Sequence, residues 1–164
     1  MDCSDSYGNH GCDGGFFDAA FKYVQDNHGI DTEKSYPYQG MEEPRCLFSN
    51  KTIGATDKGY VDLPKGDEDA LAKAVATIGP ISVAIYANDN FRDYSTGIYE
   101  DSECNPDRVD EDFVNHAVLV VGYTPDYWII KNSWGTDWGE EGYMKMKRGV
   151  NMCAIADFAS YPLV

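Results

Sequence analysis

His116 and Asn132 each stand next to a short apolar stretch. His116 comes just before residues 117–123, and Asn132 follows residues 127–131. Two such stretches joined by a short turn predict paired antiparallel strands, which can bring these two side chains together. An imidazole can take a proton from a nucleophile and later return it, provided that a hydrogen bond fixes its ring orientation and tautomer. An asparagine amide supplies that bond without adding charge, so the pair indicates acid–base chemistry.

The neighbours of the pair bear on this interpretation. A neutral orienting group suits a resting state in which the imidazole is protonated beside a thiolate. Trp134, two residues beyond Asn132, could cover the hydrogen bond and exclude water from it. A single histidine at the start of a strand is often an ordinary hydrogen-bonded residue. Position alone leaves that alternative open.

Two longer sequence blocks surround the pair. The first, NHAVLVVGY, begins at Asn115, and the second, WIIKNSWGTDWGEEGY, begins at Trp128. They closely resemble the histidine and asparagine blocks of papain-like cysteine proteases, in the same order. Segments beginning at Tyr23, Gly79 and Ala159 are similar to the cathepsin L-like branch, so the resemblance covers essentially the whole chain.

This resemblance implies a cysteine-type endopeptidase that hydrolyses peptide bonds through a thioester. His116 would be the general base and acid, Asn132 the orienting residue and Trp134 the shield. The nucleophile of this family precedes the histidine by roughly 130–150 residues, in a C-G-S/A-C-W context. Cys3 and Cys12 lie closer to His116 than that, and neither has this context.

We therefore expect no nucleophile in this chain, which would be the C-terminal portion of such a protease and inactive by itself. The alternative is a non-catalytic protein of papain fold with a binding or structural role. Retention of His116 together with Asn132 favours the peptidase, because a binding protein has no need of both.

Five cysteines are present, and no two of them form a C-x-x-C motif. A zinc or redox site is therefore not indicated. In a secretory protein, an odd number leaves at least one thiol over. The resemblance implies the disulfides Cys3–Cys46 and Cys104–Cys153, and it leaves Cys12 unpaired in this chain.

The resemblance also implies substrate-binding residues. The glycine-rich segment 12–15 reads by itself as a plain loop before a helix, whereas in the family such a loop pairs its main chain with an extended peptide. The implied set is Gly14, Gly15, Phe16, Phe17, Ala84, Val114, Asn115, Ala117 and Phe158. Phe158 stands where cathepsin L has a small residue. We therefore expect a shallow subsite that prefers Leu or Val to large aromatic side chains.

The elements that would position these residues follow from periodicity and turn residues. Apolar residues at helical spacing predict a helix over 16–27 that stops at Gly29. Asp67 is a candidate N-cap for a second helix over 68–78. Strands are predicted over 81–87, 117–123, 127–131 and 142–147.

A helical half followed by an antiparallel half predicts the α+β class. The resemblance implies the two-lobe papain fold, with the active cleft between the lobes. Residues 1–57 would form a partial helical left lobe, 58–152 a barrel-like antiparallel right lobe, and 153–164 a C-terminal tail.

The chain is strongly acidic, with a formal net charge of -15 over 164 residues. This argues against nucleic acid or an anionic membrane as a partner, and no apolar run is long enough to span a bilayer. We expect no metal or cofactor. The resemblance implies polypeptide substrates, a propeptide or cystatin-type inhibitors as partners, a monomeric complete protein, and a lysosomal or secreted location. Asn50-Lys51-Thr52 is a glycosylation acceptor pattern if the protein is secreted.

Overall fold

A computed structural model describes residues 1–104 and 113–164. The chain divides into two compact units. The first consists of Met1–Val61 and Tyr161–Val164, and the second is Asp62–Ser160. Lobe boundaries at residues 57 and 152 stay a prediction. Within the described residues, no helix has the length and apolar character needed to cross a membrane.

The first unit contains one α-helix and a small antiparallel ribbon. Helix α1 is Phe17–Asp26, close to the predicted span. Strands β1 (Ile30–Asp31) and β2 (Ile53–Ala55) pair with each other.

The end of α1 differs in detail from the prediction. His28, not Gly29, takes the left-handed conformation that closes the helix, with φ 59°. The N–H of His28 donates to Gln25 O, and the N–H of Gly29 donates to Val24 O, which together form a Schellman motif. Glycine is needed at position 29 because its φ is 148° and because a Cβ there would lie 2.8 Å from a methyl carbon of Ile53.

Most of a seven-stranded sheet lies in the second unit. Its strands are β3 (Tyr60–Asp62), β4 (Ile81–Ile85), β5 (Ile98–Tyr99), β6 (His116–Tyr123), β7 (Tyr127–Lys131), β8 (Tyr143–Lys147) and β9 (Phe158–Pro162), and their order across the sheet is β3-β9-β4-β6-β7-β8-β5. The pairs β4–β6, β4–β9, β6–β7 and β7–β8 are antiparallel, whereas β5 runs parallel to β8. The predicted strands are confirmed to within two residues at each end. The predicted α+β class is also confirmed.

Two helices accompany the sheet in the second unit. Helix α2 is Glu68–Thr77, and the Asp67 carboxylate accepts a hydrogen bond from the N–H of Ala70 at 2.8 Å, which confirms the predicted cap. Helix α3 is the short segment Asp89–Arg92. It was not predicted, because four residues are too few to show a helical period.

The core of the second unit follows the strand alternation. Trp128 and Ile130 of β7 are fully buried, as are Met144 and Met146 of β8, while the residues between them are more accessible. Phe91 of α3 is also fully buried. Because alternate residues of a strand point to opposite faces, this pattern fixes the register of the central hairpin.

Both disulfides implied by the resemblance are present. Cys3 is bonded to Cys46 with an S–S distance of 2.01 Å, and Cys104 is bonded to Cys153 at 2.10 Å. Cys12 is a free, exposed thiol.

Candidate active site

The hairpin of β6 and β7 brings His116 and Asn132 together. Strand β6 begins at His116, and Asn132 directly follows β7. The pairing of Leu119 with Lys131 sets the register. The distance between His116 Nε2 and Asn132 Oδ1 is 2.8 Å, so the contact expected from the sequence is formed.

A second hydrogen bond fixes which way the Asn132 amide points. The N–H of Ser133 also donates to Asn132 Oδ1, at 2.8 Å. A backbone N–H requires an acceptor, so the atom between Ser133 and His116 is the amide oxygen. His116 Nε2 must therefore carry the proton in this contact. In the neutral imidazole, Nδ1 is left with a free lone pair.

The imidazole lies among aromatic rings. It stacks on Trp134, with a centroid separation of 4.7 Å and an interplanar angle of 26°, and it meets Phe91 edge-on at 6.1 Å. Burial lowers the pKa of His116, and the hydrogen bond to Asn132 opposes this effect in part. These surroundings favour the neutral base at pH 7. The role of Trp134 as a shield stays a prediction.

Asn132 and Trp134 belong to a folded loop, residues 132–142, which we call the Trp loop. The N–H of Asn132 donates to Gly142 O at 3.0 Å, and the N–H of Gly142 donates to Trp138 O at 2.8 Å. Trp138 stacks on Phe91 with centroids 5.4 Å apart, and its indole N–H donates to Arg92 O at 2.9 Å. Helix α3 therefore holds Trp138, and its Phe91 also meets Trp134, the ring stacked on His116, edge-on with centroids 5.6 Å apart.

The supporting role of Phe91 was missed from the sequence. Its only signal is one large apolar residue in the polar stretch 88–93. A single apolar residue says nothing about which rings it will meet.

Three of the expected subsite residues form one row across the sheet. Ala84 of β4 pairs with Phe158 of β9 on one side and with Ala117 of β6 on the other. Residues directly opposite each other in antiparallel strands share a face. The ammonium group of Lys65 lies 5.1 Å from the centroid of the Phe158 ring. The substrate-binding role of this row stays a prediction.

The two residues just before His116 have different surroundings. Val114 is partly buried and Asn115 is exposed. The Asn115 side chain accepts from the N–H of Ala87 at 2.8 Å and donates to Ala87 O at 3.1 Å. Its amide thus ties the start of β6 to the chain that follows β4. A substrate contact by Asn115 stays a prediction.

The other four expected subsite residues lie in the first unit. Gly14 and Gly15 are exposed, and Phe16 is 43% exposed. Phe17 is the first residue of α1 and contacts Phe21 with ring centroids 6.4 Å apart. The main chain at Gly14 and Gly15 is therefore accessible to solvent, as peptide pairing would require.

Asn9 holds this glycine segment and was missed from the sequence. It is buried, and its Oδ1 accepts from the N–H of Phe16 at 2.7 Å. Its amide nitrogen donates to Ser4 Oγ at 2.9 Å. A Cβ at Gly15 would lie 2.2 Å from Asn9 Oδ1, so the Asn9 side chain fits here only because residue 15 is glycine.

The remaining candidates are peripheral to the His–Asn pair. Asn50 is exposed, and the hydroxyl of Thr52 in the same triplet donates to Asp31 at 2.8 Å. Within residues 1–104 and 113–164, no group of three or more His, Cys, Asp or Glu side chains is arranged to hold a metal ion.

Comparison with known proteins gives consistent matches. Residues 1–163 match the family described as papain family cysteine protease. Cathepsin L of Sarcophaga peregrina is 56% identical over the whole chain, and a cathepsin L-like peptidase of Aedes aegypti is 54% identical. The chain spans about half the length of these curated relatives, 49% in each case. The solved structure of digestive procathepsin L 3 from the larval midgut of Tenebrio molitor aligns with a TM-score of 0.90 and 48% identity, and the alignment covers 99% of this chain and 53% of that one.

Proposed function

The chain belongs to the papain family of cysteine proteases, and we propose that it provides the general base and its orienting amide in a cathepsin L-like cysteine endopeptidase. The observation that carries this proposal is the double hydrogen bond at Asn132 Oδ1, which accepts from His116 Nε2 and from the N–H of Ser133. It leaves Nδ1 of His116 as the basic atom. The nucleophilic thiol would come from a cysteine that is not among the residues of this chain.

The proposed reaction assigns one atom to each proton transfer. His116 Nδ1 takes the thiol proton, and the thiolate sulfur attacks the peptide carbonyl carbon. The imidazolium then returns the proton to the departing amine nitrogen, which leaves a thioester. A water molecule gives a proton to Nδ1 and attacks the thioester carbon, and the sulfur departs as thiolate. Asn132 holds the ring in the tautomer that every step requires.

The substrate class is proposed at two levels. Polypeptides would lie against the exposed Gly14 and Gly15, and the row of Ala84, Ala117 and Phe158 would take an apolar side chain. The Phe158 ring fills space that a small residue would leave open, so Leu or Val should be preferred to Phe. A peptide series in which Phe is cleaved faster than Leu would contradict this assignment.

Location and partners follow from the same proposal. A secreted or lysosomal protein suits the two disulfides, since these bonds persist in oxidising compartments. A propeptide and cystatin-type inhibitors would be protein partners, the complete protein would be a monomer, and Asn50 could carry a glycan. The proposed chemistry needs no metal or cofactor.

The direct test is peptide hydrolysis by the full-length protein and its variants. His116→Ala should lower kcat by roughly 10²–10⁴-fold, the range typical of a general base. His10→Ala, which removes an exposed histidine, is the matched control and should leave kcat unchanged. If His116→Ala retains full activity, the assignment is wrong. If the full-length protein binds peptides without cleaving them, and His116→Ala binds equally well, the non-catalytic alternative takes its place.

A further inference from the structure

We propose that Glu140 is a positioning residue for the His116–Asn132 pair, because its carboxylate fastens the Trp loop to two neighbouring segments. This inference rests on the proposed function only for its kinetic consequence. The geometry that carries it lies entirely in the second unit.

The Glu140 carboxylate joins three parts of the chain. Its Oε1 accepts from the hydroxyl of Thr96 at 3.0 Å and from the N–H of Gly97 at 3.1 Å. Its Oε2 lies 2.7 Å from the ammonium group of Lys145 in β8. We call this set of contacts the Glu140 clamp. Its partners come from the chain just before β5 and from β8, about 43 residues before Glu140 and five after it.

The clamp is partly shielded from solvent. The side chains of Glu140 and Lys145 are 29% and 37% exposed. The ion pair with Lys145, together with the Gly97 and Thr96 hydrogen bonds, lowers the pKa of Glu140 to about 2. The carboxylate therefore stays ionised through the acidic range in which a lysosomal or digestive protein works.

A short path connects the clamp with Asn132. The N–H of Glu140 donates to Tyr143 O, and the N–H of Tyr143 donates to Glu140 O. This bridge encloses Gly142, whose carbonyl accepts from the N–H of Asn132. Displacing Glu140 would therefore disturb the backbone bond that holds the orienting amide.

A second path connects the clamp with the covering ring. Tyr94 donates its hydroxyl proton to Gly97 O at 2.7 Å, beside the N–H that Glu140 accepts. The Tyr94 ring contacts Trp138 with centroids 5.6 Å apart, and Trp138 meets Trp134 edge-on at 5.4 Å. Loosening the 94–97 segment would therefore loosen the packing of Trp138 against Trp134, the ring that stacks on His116.

A second ion pair to strand β8 offers a control. Glu100 forms an ion pair with Lys147 of β8, two residues beyond Lys145. Its carboxylate is more exposed, at 58% for Glu100 against 29% for Glu140, and among the described residues no hydrogen bond or ion pair joins this pair to the Trp loop. Glu100→Gln therefore removes the same kind of interaction without touching the site.

The kinetic test compares variants of the full-length protein. Glu140→Leu should lower kcat about tenfold or more, because small misplacements of catalytic groups are costly, with KM within about twofold. Glu140→Gln should lose less, roughly threefold, because its amide oxygen can still accept from the N–H of Gly97. Glu100→Gln should stay within about twofold of wild type in both constants. Equal effects of Glu140→Leu and Glu100→Gln would overturn the proposal.

A second readout does not depend on activity. The Nε2 proton of His116 in this chain, followed by NMR at neutral pH, should be sharp in wild type and in Glu100→Gln. It should broaden or exchange faster in Glu140→Leu, or in Lys145→Met and Glu140→Gln if Glu140→Leu fails to fold. An unchanged resonance in these variants would overturn the positioning role proposed for the Glu140 clamp. An inactive full-length wild type with the expected broadening would instead refute the proposed function and leave the clamp supported.

Discussion

At the scale of single residues, His116 is held in a setting that favours its neutral form. The ring is half-buried against Trp134 and Phe91, and burial lowers its pKa. A histidine whose pKa is lower in the folded state than in the unfolded state binds its proton more readily when unfolded. Its effect on stability is therefore neutral at high pH and unfavourable in acid.

This gives a prediction for stability against pH. Relative to His116→Gln, the wild-type chain should lose free energy of unfolding as the pH falls through the unfolded-state pKa of about 6.5. All other titrating groups are shared, so the difference between the two proteins isolates His116. Urea unfolding between about pH 8 and pH 5 measures it. A difference that is constant with pH, or that grows in favour of wild type in acid, would contradict the account.

Asn132 gives a second prediction at this scale. Its Oδ1 accepts two hydrogen bonds, but its buried Nδ2 has no partner among the described residues. Asn132→Asp removes that unpaired donor and places a negative charge beside the Nε2 proton of His116. The pKa of His116 should rise, as followed by NMR titration of the imidazole. Asn50→Asp adds the same charge at an exposed position in the other unit and should leave that pKa unchanged.

At the scale of elements, the end of α1 shows how far local sequence rules reach. The glycine that signals a helix end is present, but the left-handed position belongs to the preceding residue, His28. A residue with a Cβ is disfavoured in that conformation. Gly29 is required by its own positive φ of 148° and by the close approach of Ile53.

Substitutions at these two adjacent positions should therefore change the stability of the protein in opposite directions. His28→Gly should stabilise the protein by about 0.5–1 kcal/mol. Gly29→Ala should destabilise it, because the new methyl group meets Ile53. Thermal unfolding of wild type and the two variants under one set of conditions measures both changes. A loss of stability in His28→Gly would show that the left-handed residue is not strained.

The elements that could be predicted from the sequence were those that follow from local periodicity and capping residues. Alternation and apolar runs located β6 and β7, and the Asp67 cap located the start of α2. The pairing of β5 with β8 could not be foreseen, since two residues carry no period and their partner lies far along the chain. The same limit applies to the site. His116 and Asn132 were predicted because family blocks surround them, whereas Glu140 and Asn9 act through contacts that no spacing rule describes.

At the scale of the whole molecule, the two units have disulfides of different accessibility. Cys104 and Cys153 are 2% and 0% exposed, whereas Cys46 of the Cys3–Cys46 bond is exposed. A thiolate can attack only a sulfur that it can reach.

Mild reduction of the folded protein should therefore open the bonds in a fixed order. In this chain by itself, Cys12 should react with an alkylating reagent before any reductant is added, because it is free and exposed. Cys3 and Cys46 should become labelled next, while Cys104 and Cys153 stay protected until the second unit unfolds. Mass spectrometry of the alkylated peptides gives the order. Early labelling of Cys104 or Cys153 would contradict the burial on which the prediction depends.

The central claim is that this chain presents His116 as an oriented base with its proton on Nε2 and a free lone pair on Nδ1. The ¹⁵N chemical shifts of the His116 imidazole at neutral pH distinguish the two tautomers directly. We expect a protonated Nε2, an unprotonated Nδ1, and loss of this preference in Asn132→Ala. A proton on Nδ1, or rapid averaging of the two tautomers in wild type, would contradict the proposed role of the His116–Asn132 pair.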